Sequence, residues 1–312
     1  MSFDAGIMAL WILAAWLFVR LGRSALAADP AHRDASVWLV ALAPFWLLWG
    51  LLIALGLYGH VLPAPGGWTG LREAHIHANG WGFVGLAIVA VMFDVFPRLS
   101  GSPLRSPHAR RRSGLLLGVG VGPLVAGPWF GVAVPLTLGG LALYAVGYLV
   151  YLRSMIATYR TGTRSGPSLW LLLAQAWIIA PAALAPFVVF GLLDTPPVIL
   201  ERAALHFFFL GWTLPVALTG LLAHGVVRGG WAPGNAPWAR LDGAISRQFA
   251  LCWHVAVLML GVGIGVGASS TLGRIAVVIG ASMLAVCWGF VLVQAGRWAL
   301  RSGGPESGLA TE

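Results

Sequence analysis

Residues Val37–Tyr58 read VWLVALAPFWLLWGLLIALGLY, twenty-two positions without one charged side chain. The hydrocarbon core of a bilayer takes about 20 such residues as a helix, and a helix satisfies its own backbone hydrogen bonds where no water can. The pattern recurs along the chain. Hydropathy predicts nine helices, near Gly6–Val19, Val37–Tyr58, His75–Phe96, Leu115–Ala126, Val132–Tyr151, Leu169–Leu193, Ala203–Val226, Ile245–Ala268 and Ile275–Val293. The fourth is short and broken by Gly127-Pro128, so counts of eight and ten stay open.

Composition agrees with an all-α, polytopic membrane bundle. Of 312 residues, 59% are hydrophobic and 9% charged, where a soluble domain carries about 25% charged residues. A soluble dinucleotide-binding enzyme, a nucleic-acid-binding domain and a secreted disulfide scaffold are excluded. The net charge of +9 comes from arginine alone, since all 19 basic residues are Arg. Cys252 and Cys287 lie inside apolar runs and read as small buried hydrophobes. Residues 1–301 are expected to form a single transmembrane domain, and 302–312 a disordered polar tail.

The arginines also predict which way the chain threads. Asp4 precedes the first apolar stretch and Arg20 follows it, the reverse of a cleaved signal. With the N-terminus outside, the inner loops hold Arg20, Arg23, Arg33, Arg98, Arg105, Arg110, Arg111, Arg112, Arg153, Arg160, Arg164, Arg228, Arg240, Arg247, Arg297 and Arg301. Only Arg72, Arg202 and Arg274 fall outside. That split satisfies the positive-inside rule and puts the C-terminus in the cytoplasm. The run Arg110-Arg111-Arg112 then reads as an anchor on anionic lipid; no nucleic-acid partner is expected.

Ionisable residues at membrane depth point to function. Under this topology His60, His75, His77 and His206 lie at outer span ends, and His254 nearer mid-span. His32, His108 and His224 fall in or beside inner loops. His75 and His77 are two apart, so on a helix they point about 200° away from each other. They cannot share one metal on a regular helix, but they can serve two sites, one per face; the alternative is that they cap the helix start. Neutral imidazole is a common metal and axial haem ligand. A repeat adds weight: His75 precedes Gly80-Trp81 with four residues between, and His206 precedes Gly211-Trp212 at the same spacing. Arg72 and Arg202 stand just before them, able to pair with carboxylates such as haem propionates. On this basis His75 and His206 are expected to face one cofactor. His254 either serves a second metal site or hydrogen-bonds a neighbouring helix. Asp94 and Arg98, spaced i,i+4, are expected to pair, and Asn79, Gln175 and Gln294 to link helices.

The segment Ala74-His75-Ile76-His77-Ala78-Asn79-Gly80-Trp81-Gly82-Phe83 resembles the H-x-H…G-F segment of the NnrS family of haem- and copper-containing membrane proteins linked to nitric oxide response. Leu205-His206-Phe207-Phe208-Phe209-Leu210-Gly211 resembles that family's later H-x4-G helix. The H-x-H helix is also similar to the one in haem-copper oxidase catalytic subunits whose two histidines ligate two haems. Together these matches cover about fifty residues. Where the family has an acidic residue after the second histidine, this chain has Ala78. It has neither the adjacent His-His pair nor the His–Tyr helix that holds copper in the oxidases.

The resemblance implies a haem-binding protein of the bacterial inner membrane acting in nitric oxide or respiratory stress response. Haem b is the expected cofactor and copper is not. His75, His77 and His206 are the implied ligands, with Arg72 and Arg202 near the propionates. Nitric oxide is the implied small ligand, and a respiratory-chain protein a possible partner. The alternative is a cofactor-free transporter or respiratory-complex subunit whose histidines are structural.

Overall fold

The computed structural model describes residues 3–27, 35–59, 62–63, 65–104, 106–192, 195–219, 245–267 and 270–302. Every regular element among them is helical. In chain order these are α1 (Phe3–Ala27), α2 (Ala35–Gly59), α3 (Gly67–His77) and α4 (Leu86–Ser100), then α5 (Pro107–Phe130) and α6 (Leu138–Thr161). They continue as α7 (Gly166–Ala176), α8 (Ile179–Phe190), α9 (Pro197–His206), α10 (Arg247–Val266) and α11 (Thr271–Ser302). Three segments are π-helical: Ala78–Gly85 and Phe207–Thr213 continue the helices on both sides, and Ala133–Thr137 leads into α6. His32, His60, His224 and the tail beyond Ser302 lie outside the described residues.

Seven helices among the described residues are long and apolar enough to cross a membrane: Trp38–Leu57, Gly67–Ser100, His108–Phe130, Val134–Thr161, Gly166–Phe190, Arg247–Val266 and Thr271–Val293. The apolar stretch Met8–Leu21 is shorter. Their outer faces are apolar as well: Val278 and Val286 of α11 are 63% and 73% exposed. A surface of that kind is solvated by lipid. The molecule is an all-helical, multi-pass membrane protein.

Helix ends follow local chemistry. Ser106, Ser165 and Ser246 cap α5, α7 and α10, their hydroxyls accepting from the N–H of Ala109, Ser168 and Phe249. Pro107 and Pro167 occupy the first turns of α5 and α7, where no amide hydrogen is missed. The fourth predicted span does not break at Gly127-Pro128; α5 runs on to Phe130. Pro128 sits in the last turn, and the helix stops where Gly131 turns to φ 71° and donates to Pro128 O.

The chain divides into two compact units, Met1–Thr163 with Ala182–Leu193 and Arg164–Pro181 with Asp194–Glu312. Each has an antiparallel helix pair drawn together by glycine. In the first, a Cβ on Gly140 of α6 would lie 2.6 Å from Leu124 N of α5. In the second, a Cβ on Gly280 of α11 would lie 2.6 Å from Leu260 N of α10. Backbones that close exclude any larger residue, the usual logic of small residues between membrane helices. The two units are built on one plan.

Candidate functional site

In the first unit, helix α3 delivers two imidazoles to two different neighbours. His77 Nδ1–H donates to Leu124 O of α5 at 2.7 Å, and His75 Nδ1–H donates to Gly50 O of α2 at 2.8 Å. A carbonyl only accepts, so in both rings the proton is on Nδ1 and the Nε2 lone pair is left over. His77 Nε2 has no hydrogen-bond partner among the described residues. Around His75, Asn79 donates to the histidine's own carbonyl at 3.0 Å, and its amide nitrogen lies over the ring, 3.2 Å from Nδ1 and 3.4 Å from Nε2. Asn79 also fills the space beside Gly50, where any side chain would strike it.

The π-helical segment begins at the residue after His77. A π turn leaves the regular ladder short of partners. Tyr144 of α6 donates to Trp81 O within it at 3.4 Å. One residue further, Gly82 seats the indole of Trp46 from α2; a Cβ there would lie 2.6 Å from Trp46 Cγ.

The second unit repeats this arrangement. His206 ends α9, and the next residue starts a π-helical segment. His206 Nδ1–H donates to Arg202 O, in its own helix, at 2.7 Å, and Nε2 has no hydrogen-bond partner among the described residues. Trp253 of α10 donates to Leu210 O at 3.0 Å, as Tyr144 does to Trp81 O. Gly211 then seats Trp177, a Cβ there lying 2.5 Å from Trp177 Cγ. The repeat therefore pairs His77 with His206 and Gly82 with Gly211. It runs two residues later than the His75–Gly80 spacing predicts. His75 corresponds to Ala204 and belongs to the first unit alone.

Other residues singled out by sequence have protein partners. His254 is buried with both ring nitrogens engaged: Nδ1 accepts from Trp177 Nε1 at 2.8 Å and Nε2–H donates to Trp170 O at 3.1 Å. Arg72 is exposed and pairs with its neighbour Glu73 at 2.7 Å. Arg202 is exposed at the surface of α9, and His108 lies exposed at the start of α5. Asp94 and Arg98 form their i,i+4 pair at 2.8 Å. Gln175 accepts from Trp212 Nε1 at 2.8 Å, linking helices within the second unit.

Sequence reasoning did not single out Trp46, Trp177, Tyr144 or Trp253. Their signal was present only as several aromatics on the facing helices, which spacing alone does not pair with a glycine. Among the described residues no group of three or more His, Cys, Asp or Glu could hold a metal ion. No family model, no curated protein and no solved structure matches the chain.

Proposed function

We propose that this multi-pass protein binds haem b through histidine imidazoles, with His77 and His206 as the principal ligands, one in each unit. The observation that carries the reading is the shared state of the two rings. Each Nδ1–H is fixed on a backbone carbonyl, and each Nε2 lacks a hydrogen-bond partner among the described residues. A metal-bound histidine characteristically uses its second nitrogen this way, which fixes tautomer and ring orientation and raises ligand basicity. His75 has the same Nδ1 anchor and is the third ligand of the set, with the Asn79 amide beside its Nε2. His254, with both nitrogens used, is left out.

Bound haem would supply one-electron chemistry and an iron that takes diatomic gases. The chain's own part is to hold each imidazole in one tautomer. Arg202, exposed one turn before His206, is the propionate partner; Arg72 already has Glu73. The resemblance to the NnrS family carries the rest of the reading: a bacterial inner-membrane protein, N-terminus outside and C-terminus in the cytoplasm, acting in nitric oxide or respiratory stress response, with a respiratory-chain partner. The test is a reduced-minus-oxidised spectrum of protein purified from haem-supplemented cells. A b-type Soret and α-band supports it. A colourless preparation overturns it and returns the chain to a transporter or partner subunit with structural histidines.

A further inference from the structure

Because one plan is built twice, the second unit can be compared with a natural control in the same molecule. The glycine seams pair Leu124 with Leu260, so Gly118 of α5 corresponds to His254 of α10 and Leu117 to Trp253. The indole seats pair Trp46 with Trp177, so Leu39 corresponds to Trp170; likewise Ala78 corresponds to Phe207. The first unit closes with small or aliphatic residues at these positions, and Leu39, Ala78 and Leu117 are all buried there. At the positions of Trp170, His254 and Phe207 the first unit packs without an aromatic ring, while the bond that Trp253 makes is made there by Tyr144 from α6.

In the second unit the replacements form one continuous chain. Phe207 stacks on Trp177 with ring centroids 5.1 Å apart and planes 9° from parallel. Trp177 is bonded to His254, and His254 to the carbonyl of Trp170. The Trp170 and Trp253 rings follow at 6.0 Å, then Trp253 and Trp288 at 6.0 Å. We propose that this chain is a path for single electrons, with Trp177 and His254 as its proton-coupled redox pair.

The step balances within the pair. A one-electron metal oxidant removes an electron from the Trp177 indole. The Nε1–H bond breaks, and its proton passes along the existing hydrogen bond to the lone pair of His254 Nδ1. The products are a neutral indolyl radical and an imidazolium whose Nε2–H stays on Trp170 O. Return of one electron and of that proton restores both rings. Without the imidazole, the oxidised indole would be a buried, unpaired cation, which is costly. Trp46 and Trp170 are in that position, each Nε1 buried without a hydrogen-bond partner; of the three indoles Trp177 alone has the imidazole, and Gly118 stands where Trp46 would need one.

The experiment uses the full chain in detergent micelles, with a photogenerated ruthenium(III) polypyridyl complex as oxidant and transient absorption and EPR as readouts. The wild type is expected to give a long-lived neutral tryptophan radical that forms more slowly in deuterated water. Trp177→Phe should cut its yield several-fold, and Trp46→Phe should leave it unchanged. His254→Gln keeps an acceptor for the indole N–H but no basic nitrogen, so the bond survives while the deuterium effect and the long lifetime are lost. Equal signals from the two tryptophan variants overturn the proposal, as does a His254→Gln protein that behaves like wild type. No haem is needed, so a colourless protein that passes this test leaves the pair standing and removes only the haem reading.

Discussion

His77 donates to the carbonyl of Leu124 at 2.7 Å, and Leu124 N is also the atom nearest to a Cβ built on Gly140. The imidazole of α3 is thus tied to the seam between α5 and α6. A methyl group on Gly140 must push Leu124 away, because a backbone atom 2.6 Å off cannot rotate clear. Gly140→Ala is expected to destabilise by about 1–3 kcal/mol, the usual cost of overpacking. Gly139→Ala, with nothing within 4 Å of its Cβ, should instead be neutral or gain about 0.5–1 kcal/mol from helix propensity. Thermal unfolding in detergent separates the two; equal midpoints would mean the seam is looser than the distances imply.

The haem reading makes a graded prediction. His77→Ala and His206→Ala each remove a ring whose Nδ1 is held on a carbonyl, of a neighbouring helix for His77 and of its own helix for His206, and should each lower bound haem by a similar factor. His254→Gln touches neither open Nε2 and should leave haem content as in wild type. Haem per protein, measured by pyridine haemochrome, decides it. A His254 variant that loses haem while the His77 variant keeps it would reverse the assignment.

The class of fold is legible in runs such as Val37–Tyr58, because lipid accepts nothing but satisfied backbone and apolar side chains. Helix ends were less so. Gly127-Pro128 reads as a break, yet α5 passes through: Pro128 lacks the N–H that would bond Leu124 O, and His77 Nδ1–H takes that carbonyl instead. The repeat was visible but out of register. Gly80-Trp81 and Gly211-Trp212 share letters, whereas the equivalence that matters is set by indoles on other helices, Trp46 on Gly82 and Trp177 on Gly211. The role of His254 was undecided in the sequence because its partners, Trp170 and Trp177, lie far away along the chain.

Threading can be tested without reference to any cofactor. In a background with Cys252→Ser and Cys287→Ser, a single cysteine at Arg111 should react with an impermeant maleimide only after the cells are opened. A cysteine at Trp68, which is exposed at the start of α3, should react in intact cells. The positive-inside bias is the physical basis. The opposite pattern would turn His77 and His206 toward the cytoplasm.

The register of the repeat has its own test in a pair of double-mutant cycles. A Cβ on Gly82 would lie 2.6 Å from Trp46 Cγ and 2.7 Å from its Cβ, and one on Gly211 would lie 2.5 Å from Trp177 Cγ and 2.8 Å from Cδ1. Neither tryptophan can yield by rotating its ring, because the atoms struck are at the root of the side chain. Gly82→Ala and Gly211→Ala should therefore each cost about 1–3 kcal/mol. Trp46→Ala and Trp177→Ala leave cavities and should cost about 3–5 kcal/mol. Residues in contact do not add, so each double variant should be more stable than the sum predicts, by about 0.5–3 kcal/mol. The second cycle carries an extra signature. Cδ1 adjoins Nε1, so a methyl on Gly211 that displaces it also pulls the indole N–H from His254, and the deuterium effect on the Trp177 radical should weaken in Gly211→Ala alone. Costs that simply add at both sites would mean that these glycines do not seat the indoles, and the pairing of His77 with His206 would lose its anchor.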